Sequence, residues 1–559
     1  MEESSMMIQN EYFRNEPQED FSDPHIIAKI EQGIKAFESK WFGVMKPRPV
    51  IIGGDEDNTG DYMDIYDPAR RFRLLGRVRI ATPDNVEKAC LVAHRAFQKS
   101  LEFFWDDFDG WLLGRKRVIQ KALELIREER YIIAPLISCE VSKSLKGSFG
   151  EIEEAIDFGE YYLSQVDALF ERVRTRSDIE TEKNMRIPVP RGPTVAIKVW
   201  NFPLSLSFES IGASYLAGCP VLFKPAEQSS LVGYYLVDLL LRAGMESDFI
   251  SYLPGYGDIG EALVKNPYTA HICFTGSMEV GHKINVAAAV AVAENPYAYP
   301  CGTKRIEGEL GANNPMIVTR SANIDDVVKA ILVSKWNQEG RKCSALQRLF
   351  IVASPEHEFS KALMSRVIGG ASSFEYGHPV FGKKRYSNNA VIDGEAFKRI
   401  KDRINECRKI KEPLLEVDLS DMEEDGYFIG PVIFEGIPHD SSLVREEIFG
   451  PVLFIFFVDS LEEAIRMANM YPHITTGIFT QDAKEKGQFI RGMMTGGKSG
   501  LIYVNREIVG AVAGQHQFGP INQSGSGYKL ATPNRMRLFV NEVGVSENFL
   551  SQGVLFKNE

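Results

Sequence analysis

The sequence predicts an α/β protein with two doubly wound units and a small β arm. Three observations point there. From Thr194 onward, short apolar runs alternate with stretches of helical periodicity: TVAIKV, LSLSFESIGASYLAG, VLFK, SSLVGYYLVDLLLRAG, FISYLPG, DIGEALVKN, HICFTGS and SMEVGHKINVAAAVAV. Strands that alternate with helices imply a parallel sheet covered on both faces. The same rhythm resumes at Glu309, with ELGANNPMIV as turn and strand and a helix behind it. Between the helical N-terminal third and Thr194, residues 170–192 are charged, alternate in polarity and end at Pro188, Pro190 and Pro193, as an extended hairpin arm would.

The remaining elements follow in order. Residues 1–50 are polar, with Ile26, Ile27, Ile30, Ile34 and Phe37 at helical spacings, and read as an appendage packed on the body. TPDNVEKACLVAHRAF from Thr82 and GRKRVIQKALELIREERYIIAPLISCEVS are helices; Pro83 suits the first turn of its helix. Glu151–Val166 is a further helix. Gly255-Tyr-Gly257-Asp-Ile-Gly260 matches G-x-G-x-x-G, but it opens the third unit, and no acidic residue ends a strand about twenty residues on as the dinucleotide fingerprint requires. It reads as a plain turn. Charged helices are expected around 390–410, then PHDSSLVREEIFGP, the strand LFIFFV, the helix LEEAIRMANM and a terminal strand over Arg535–Val545.

With 44% hydrophobic and 25% charged residues, the 559-residue chain has the balance of an ordinary globular protein of two or three domains. A net charge of −12 argues against a sequence-independent grip on nucleic acid or on an anionic membrane. The seven cysteines are scattered and contain no CxxC pair, so neither a zinc spacing nor a disulfide framework is present and no metal is expected. A reducing compartment suits them. The first twenty residues lack both an apolar signal core and the Arg-rich character of a transit peptide, and Ile284–Ala293 is too short to span a bilayer. A cytoplasmic protein is expected.

One stretch stands out for chemistry: Trp336-Asn-Gln-Glu-Gly-Arg-Lys-Cys343-Ser-Ala-Leu-Gln-Arg348. Ile324, Val327, Val328, Ile331, Leu332 and Trp336 predict a helix, with Asp325 and Asp326 in the first turn and Gly340 as its stop. Leu349–Ala353 predicts a buried strand. Cys343 therefore lies on a connector between two rigid elements, after Arg341 and Lys342, whose charge favours a thiolate. In isolation an inert buried thiol is the stronger reading.

Together, VWNFP (199–203), FTGS (274–277), ELGANNP (309–315), the Cys343 connector and EEIFGPV (446–452) resemble the aldehyde dehydrogenase superfamily, over about residues 60–545. The resemblance implies an aldehyde dehydrogenase-like fold. Residues 51–169 and 193–307 would form the NAD-binding domain and 308–504 the catalytic domain; 170–192 and 505–559 would form an oligomerisation arm and C-terminal strand. It implies Cys343 as nucleophile, since hydride transfer from an aldehyde needs a tetrahedral carbon that covalent attack supplies. Asn201, with the Cys343 N–H, would stabilise the oxyanion. Glu309 would activate water against the thioester, its pKa raised towards neutrality by an apolar site. For the cofactor, the resemblance implies Lys224 and Glu227 at the adenosine ribose, Gly276 and Ser277 at a helix N-terminus facing the pyrophosphate, and Trp200, Glu447 and Phe449 on the nicotinamide side. A carboxylate at Glu227 repels a 2′-phosphate, so NAD is expected over NADP.

Within the superfamily, Lys342-Cys343-Ser344-Ala345, Tyr503-Val-Asn-Arg506, Gly510-Ala511-Val512, Phe518-Gly519 and Ser524-Gly525-Ser526 resemble the glutamate-γ-semialdehyde (pyrroline-5-carboxylate) dehydrogenases. That implies Ser344, Gly525 and Ser526 around the substrate carboxylate, Glu151 facing its ammonium, Phe202 against its aliphatic part and Lys342 beside it. Glu151 could instead be an ordinary helix-surface carboxylate. Three positions depart from the pattern: Ala312 in E-x-G-G, Pro520 in F-G-G, and Lys529-Leu-Ala-Thr532 where K-P-G-G is usual. The expected function is NAD-dependent oxidation of L-glutamate γ-semialdehyde to glutamate by a homodimer or larger homo-oligomer. A separate polypeptide would oxidise proline.

Overall fold

A computed structural model describes residues 13–41, 46–294, 296–297, 302–382, 385 and 387–548. Residues 1–12 of the appendage, Cys301 and residues 549–559 lie outside the described residues. Two seven-stranded sheets carry the fold. The first runs in the order Arg305–Glu309, His271–Thr275, Thr194–Ile197, Val221–Lys224, Ile250–Tyr252, Val50–Ile52, Asp55–Asp57. Its first five strands are parallel and its last two antiparallel. The second runs Leu415–Glu416, Val432–Glu435, Val452–Phe457, Leu346–Val352, Asn314–Thr319, His473–Phe479, Ser499–Val504, all parallel except the first pairing. The α/β expectation therefore holds for both units. The chain passes from one sheet to the other over residues 310–313, so Glu309 ends a strand of the first sheet at the junction.

The arm is a three-stranded antiparallel sheet of Val173–Thr175, Glu182–Pro190 and Val540–Asn548. The terminal strand begins five residues later than expected, because Arg535–Phe539 forms a 3-10 turn. Arg535 is drawn inward there: its guanidinium makes two bonds, at 2.6 and 2.8 Å, to the buried Glu209 carboxylate. The antiparallel hairpin Tyr62–Asp67 with Arg70–Arg79 was not expected. Its register shifts twice, which blurs the alternation that would reveal a strand.

The appendage contains helix Pro24–Trp41, whose buried face is Ile30, Ile34, Phe37 and Trp41. It crosses helix Phe108–Val141 so closely that a Cβ on Gly33 would lie 2.2 Å from the Tyr131 carbonyl oxygen, so only glycine fits. Behind the first sheet, helices Ser205–Leu216 and Ser230–Arg242 lack a local side-chain cap. Buried glutamates reach across to them. Glu140 accepts from Leu231 N and Val232 N at 2.7 and 2.8 Å, and Glu151 accepts from Leu204 N and Ser205 N at 2.7 and 3.3 Å. Each supplies an acceptor for first-turn N–H groups that have no partner within their helix.

Candidate active site

The Cys343 helix is Ile324–Trp336, capped by Asn323, which accepts from Asp325 N and Asp326 N. It stops at Trp336, four residues before Gly340. Gln338 and Glu339 already adopt left-handed backbone (φ 60° and 53°), and Gly340 continues it (φ 70°). Non-glycine residues held this way cost about 1–3 kcal/mol each, and the surroundings must impose it. They do so through Arg341. Its buried guanidinium donates to the carbonyls of Gln338, Val141 and Ser142 at 3.2, 2.9 and 2.6 Å and to Glu339 Oε2 at 2.7 Å. Glu339 Oε1 accepts from Asn389 N at 2.7 Å. Arg341 is thus consumed in building the turn, which corrects the expectation that its charge activates Cys343. Burial, then the neighbouring Glu309, Glu447 and Glu154, pushes the Cys343 thiol well up, so it rests protonated.

Asn314 brackets Cys343. Its Nδ2 donates to the Cys343 and Ala345 carbonyls at 2.7 and 2.9 Å, and its Oδ1 accepts from Ile474 N and Thr475 N at 3.0 Å. Sequence reasoning passed over it. A polar side chain at the start of a wholly buried strand was the available signal. Asn201 Nδ2 donates to the Arg341 carbonyl at 3.0 Å, and Gln338 Nε2 donates to the Asn201 carbonyl at 2.9 Å. The amide therefore sits on the connector itself, with a second N–H left for an oxyanion.

Glu309 is the third member. Its Oε1 is buried without a hydrogen-bond partner, and Gly519 passes beside it, a Cβ there lying 3.4 Å away. Burial raises its pKa to about 8; Glu209 adds to the rise, while Lys529 and Lys198 oppose it. Lys529 in turn donates to the Gly519 and Pro520 carbonyls, fixing the Phe518-Gly519-Pro520 turn in which this chain departs from its relatives' pattern.

Cys343 opens on a cavity of about 830 Å³. Lys342, Ser344, Phe202 and Glu151 also border it, but the last is not free. Glu151 Oε2 lies 2.5 Å from Lys143 Nζ, both side chains at most 1% exposed, and Oε1 caps the helix at Ser205. This corrects the reading of Glu151 as the group facing a substrate ammonium. One turn on, Glu154 also borders the cavity, with one oxygen accepting from Ser205 Oγ at 2.8 Å. Burial raises it to about 7. Phe202 lies under both lysines, with Lys143 Nζ 3.7 Å and Lys342 Nζ 5.9 Å from the ring centre. Burial and Lys143 lower Lys342 to about 8. Gly525 and Ser526 are not in the wall. Ser526 N donates to the Gly308 carbonyl at 2.9 Å, its Oγ accepts from Gly308 N at 3.3 Å, and Gly525 bridges Glu309. They brace the strand that carries Glu309. Gly510, Ala511, Val512 and Ala513 line the cavity instead. The earlier glycine was visible in the sequence, but not its direction.

The cofactor candidates gather at the strand ends and at the junction of the sheets. Lys224 ends strand Val221–Lys224, its buried Nζ 3.2 Å from the Pro225 carbonyl and 4.0 Å from Glu227 Oε2. The Glu227 side chain is 40% exposed and can accept further bonds. Gly276 and Ser277 immediately precede helix Met278–Glu294, and Ser277 Oγ accepts from Val280 N at 3.3 Å. Gly276 N is taken by the Glu309 carbonyl at 3.0 Å. Glu447 is raised to about 7 by burial against the Ala312 N–H, Arg399 and Lys335. Gly311 packs closely beside it: a Cβ there would lie 2.4 Å from Glu447 Oε2 and push the carboxylate aside. Phe449 is held in left-handed backbone (φ 53°), and its ring meets that of Trp200 edge-on at 5.5 Å. These groups fit a dinucleotide: an accessible carboxylate and a lysine at a strand end, a helix N-terminus, and a second carboxylate within electrostatic reach of Cys343.

Two buried clusters could offer three ligand atoms to a metal, Asp67–Cys139–His378 and His271–Cys273–Glu307. The carboxylate of each already has a partner. Asp67 lies 2.7 Å from His378 Nε2, and Glu307 pairs with Arg535. The six cysteines among the described residues are free thiols, and no described helix is long and apolar enough to cross a membrane.

Residues 55–541 match the model of the aldehyde dehydrogenase family. The chain is 30% identical over 544 residues to 1-pyrroline-5-carboxylate dehydrogenase 1 of Halalkalibacterium halodurans, covering 96% of this chain and 99% of that protein. Its fold is similar to the crystal structure of Thermus 1-pyrroline-5-carboxylate dehydrogenase with bound NAD, with a TM-score of 0.87 at 28% identity over 96% and 99% of the two chains. It is also similar to proline utilization A from Bdellovibrio bacteriovorus (TM-score 0.88, 29% identity), where it covers 98% of this chain and 54% of that one.

Proposed function

The chain belongs to the aldehyde dehydrogenase family, and from that premise we propose that it oxidises L-glutamate γ-semialdehyde to L-glutamate with NAD. The observation that carries this reading is Cys343 opening on a cavity that also presents Glu154, with the Asn201 amide bonded to the connector that bears it and Glu309 within electrostatic reach of the thiol. Curated relatives and a solved neighbour named 1-pyrroline-5-carboxylate dehydrogenase support the substrate, and the NAD bound in that neighbour supports the cofactor.

Residues 51–169 and 193–307 take the cofactor and 308–504 carry the chemistry. Bound at Lys224, Glu227, Ser277 and Glu447, NAD supplies the hydride acceptor. The resting Cys343 thiol gives up its proton to solvent through the cavity as the aldehyde arrives. The sulfur attacks the carbonyl carbon, and the oxyanion takes the free Asn201 N–H and the Cys343 backbone N–H. After hydride departure leaves a thioester on Cys343, Glu309 takes a proton from water, which displaces the sulfur. Glu154 holds the substrate ammonium, and Ser344 with the 510–513 backbone holds its carboxylate. Neutral donors suit that anion in a protein of net charge −12. The protein acts in the cytoplasm as a homo-oligomer joined through the arm, receiving its substrate from a separate proline-oxidising enzyme.

NADH production from a panel of glutamate γ-semialdehyde, succinate semialdehyde and propanal tests this. Wild type is expected to favour the first, and Cys343→Ala to be inactive on all three. A preference for another aldehyde, or activity surviving in Cys343→Ala, refutes it.

A further inference from the structure

The N-terminal appendage contributes to the wall of the active-site cavity. Asn15, Glu16 and Gln18 border it, and the segment is fastened on both sides. Behind it, Glu16 pairs with Arg130 at 2.5 Å and Arg127 at 3.0 Å, Glu19 pairs with Arg130 at 2.8 Å, and Glu19 N donates to Glu153 Oε1 at 3.0 Å. In front, one side chain joins three segments. Asn15 Nδ2 donates to Asp157 Oδ2 at 2.7 Å and to the Ala513 carbonyl at 3.0 Å, and Asn15 Oδ1 accepts from Gln515 Nε2 at 2.8 Å. Glu16 N takes the other Asp157 oxygen at 2.6 Å. Beside this node, Phe13 meets Tyr161 edge-on at 5.3 Å and closes over Gly514. Gly514 has φ +74°, and a Cβ there would come 2.7 Å from the Phe13 ring.

We propose that Asn15 is a substrate-positioning residue: its amide sets the spacing between the 510–513 loop and the helix that carries Glu154. This rests on the reading that these two elements hold the carboxylate and ammonium of an amino-acid aldehyde. Asp157 is one helical turn beyond Glu154 on the same face, so a clamp on Asp157 is a clamp on Glu154. Ala513 is the last cavity-lining residue of the loop, so a clamp on its carbonyl fixes the backbone that precedes it. The loop's other tether is local: His516 Nδ1 accepts from Val512 N at 3.0 Å, which shapes the turn but does not tie it to the helix. Asn15 bonds to both. A short aldehyde that carries neither charged group has no use for that spacing.

The test uses full-length Asn15→Ala, with Gln515→Ala as a second variant that removes a single, exposed contact to the same amide. Steady-state constants are measured on glutamate γ-semialdehyde and on propanal. Loss of a charge-assisted bond and its neighbour is expected to raise KM for the semialdehyde about ten-fold in Asn15→Ala, with a smaller rise in Gln515→Ala. KM for propanal, and kcat for both, should stay within about two-fold. A parallel rise for both aldehydes, or no change for either, overturns the assignment. If wild type itself shows no preference for the semialdehyde over propanal, the functional reading fails, and the assignment fails with it. A wild-type preference that Asn15→Ala retains defeats the positioning role alone.

Discussion

Glu151→Gln separates a structural carboxylate from a substrate-binding one. The substitution keeps the side chain's shape and removes its charge from a site where neither Glu151 nor Lys143 is more than 1% exposed. It leaves an ammonium in the interior with no counter-charge: the glutamine carbonyl can still accept from the two backbone N–H groups, but its NH2 then faces Lys143. Breaking one side of such a buried pair costs about 3–5 kcal/mol. With a melting entropy of about 2.1 cal/mol/K per residue, this corresponds to a fall in Tm of about 3–4 °C for a chain of this length. The loss has a pH signature. Burial already lowers the Lys143 pKa, and Glu151 is the main force opposing that fall. Without Glu151 the lysine sheds its proton more readily in the folded state than in the unfolded one. The deficit is therefore largest in acid and shrinks as pH rises. Adding Lys143→Met removes the stranded charge and should restore most of the stability. Calorimetry on the three proteins from pH 6 to pH 9 decides it. An unchanged Tm, together with a raised KM for the semialdehyde, would refute the structural role and reinstate Glu151 as the ammonium partner.

Two further expectations follow from the same cavity. Glu154→Gln should raise KM for glutamate γ-semialdehyde about ten-fold, the worth of one exposed-face charge pair in a partly dry site, with Tm within about 1 °C. Because burial holds Glu309 protonated up to about pH 8, the thioester-hydrolysis rate should climb with pH and level off above about 8; stopped-flow deacylation that is flat from pH 6 to 9 would exclude Glu309 as the base.

Much of the fold was legible because its strands are buried on both faces and its helices are amphipathic, so the change of period marks each element. The hairpin at 62–79 escaped because its bulges break the alternation. Of the proposed site, Cys343, Asn201 and Glu309 stand in recognisable motifs; Asn201 bonds the connector that bears Cys343, and Glu309 ends its strand where the chain crosses between the sheets. What the sequence could not resolve is direction. Glu151 and Glu154 lie three apart on one helix face, and only the position of helix Ser205–Leu216 determines which is spent as a cap and which meets the cavity. Gly510 and Gly525 are both loop glycines. The strand end at Glu309 bridges to the second, leaving the first to line the cavity. Arg341 beside a cysteine suggests activation, but three backbone carbonyls and Glu339 lie within its reach. A left-handed turn at Gln338 and Glu339 has no local sequence signal, since nothing but that distant network imposes it.

A rapid-quench experiment on Glu309→Gln bears most directly on the meeting of thiol, amide and carboxylate. Mixed with NAD and glutamate γ-semialdehyde and quenched in acid within one turnover, the variant should release about one equivalent of NADH per site and retain the glutamyl group on Cys343. Intact-mass measurement would read that group as a thioester, and peptide mapping would place it. Steady turnover at the wild-type rate with no acyl group on Cys343 would contradict the arrangement.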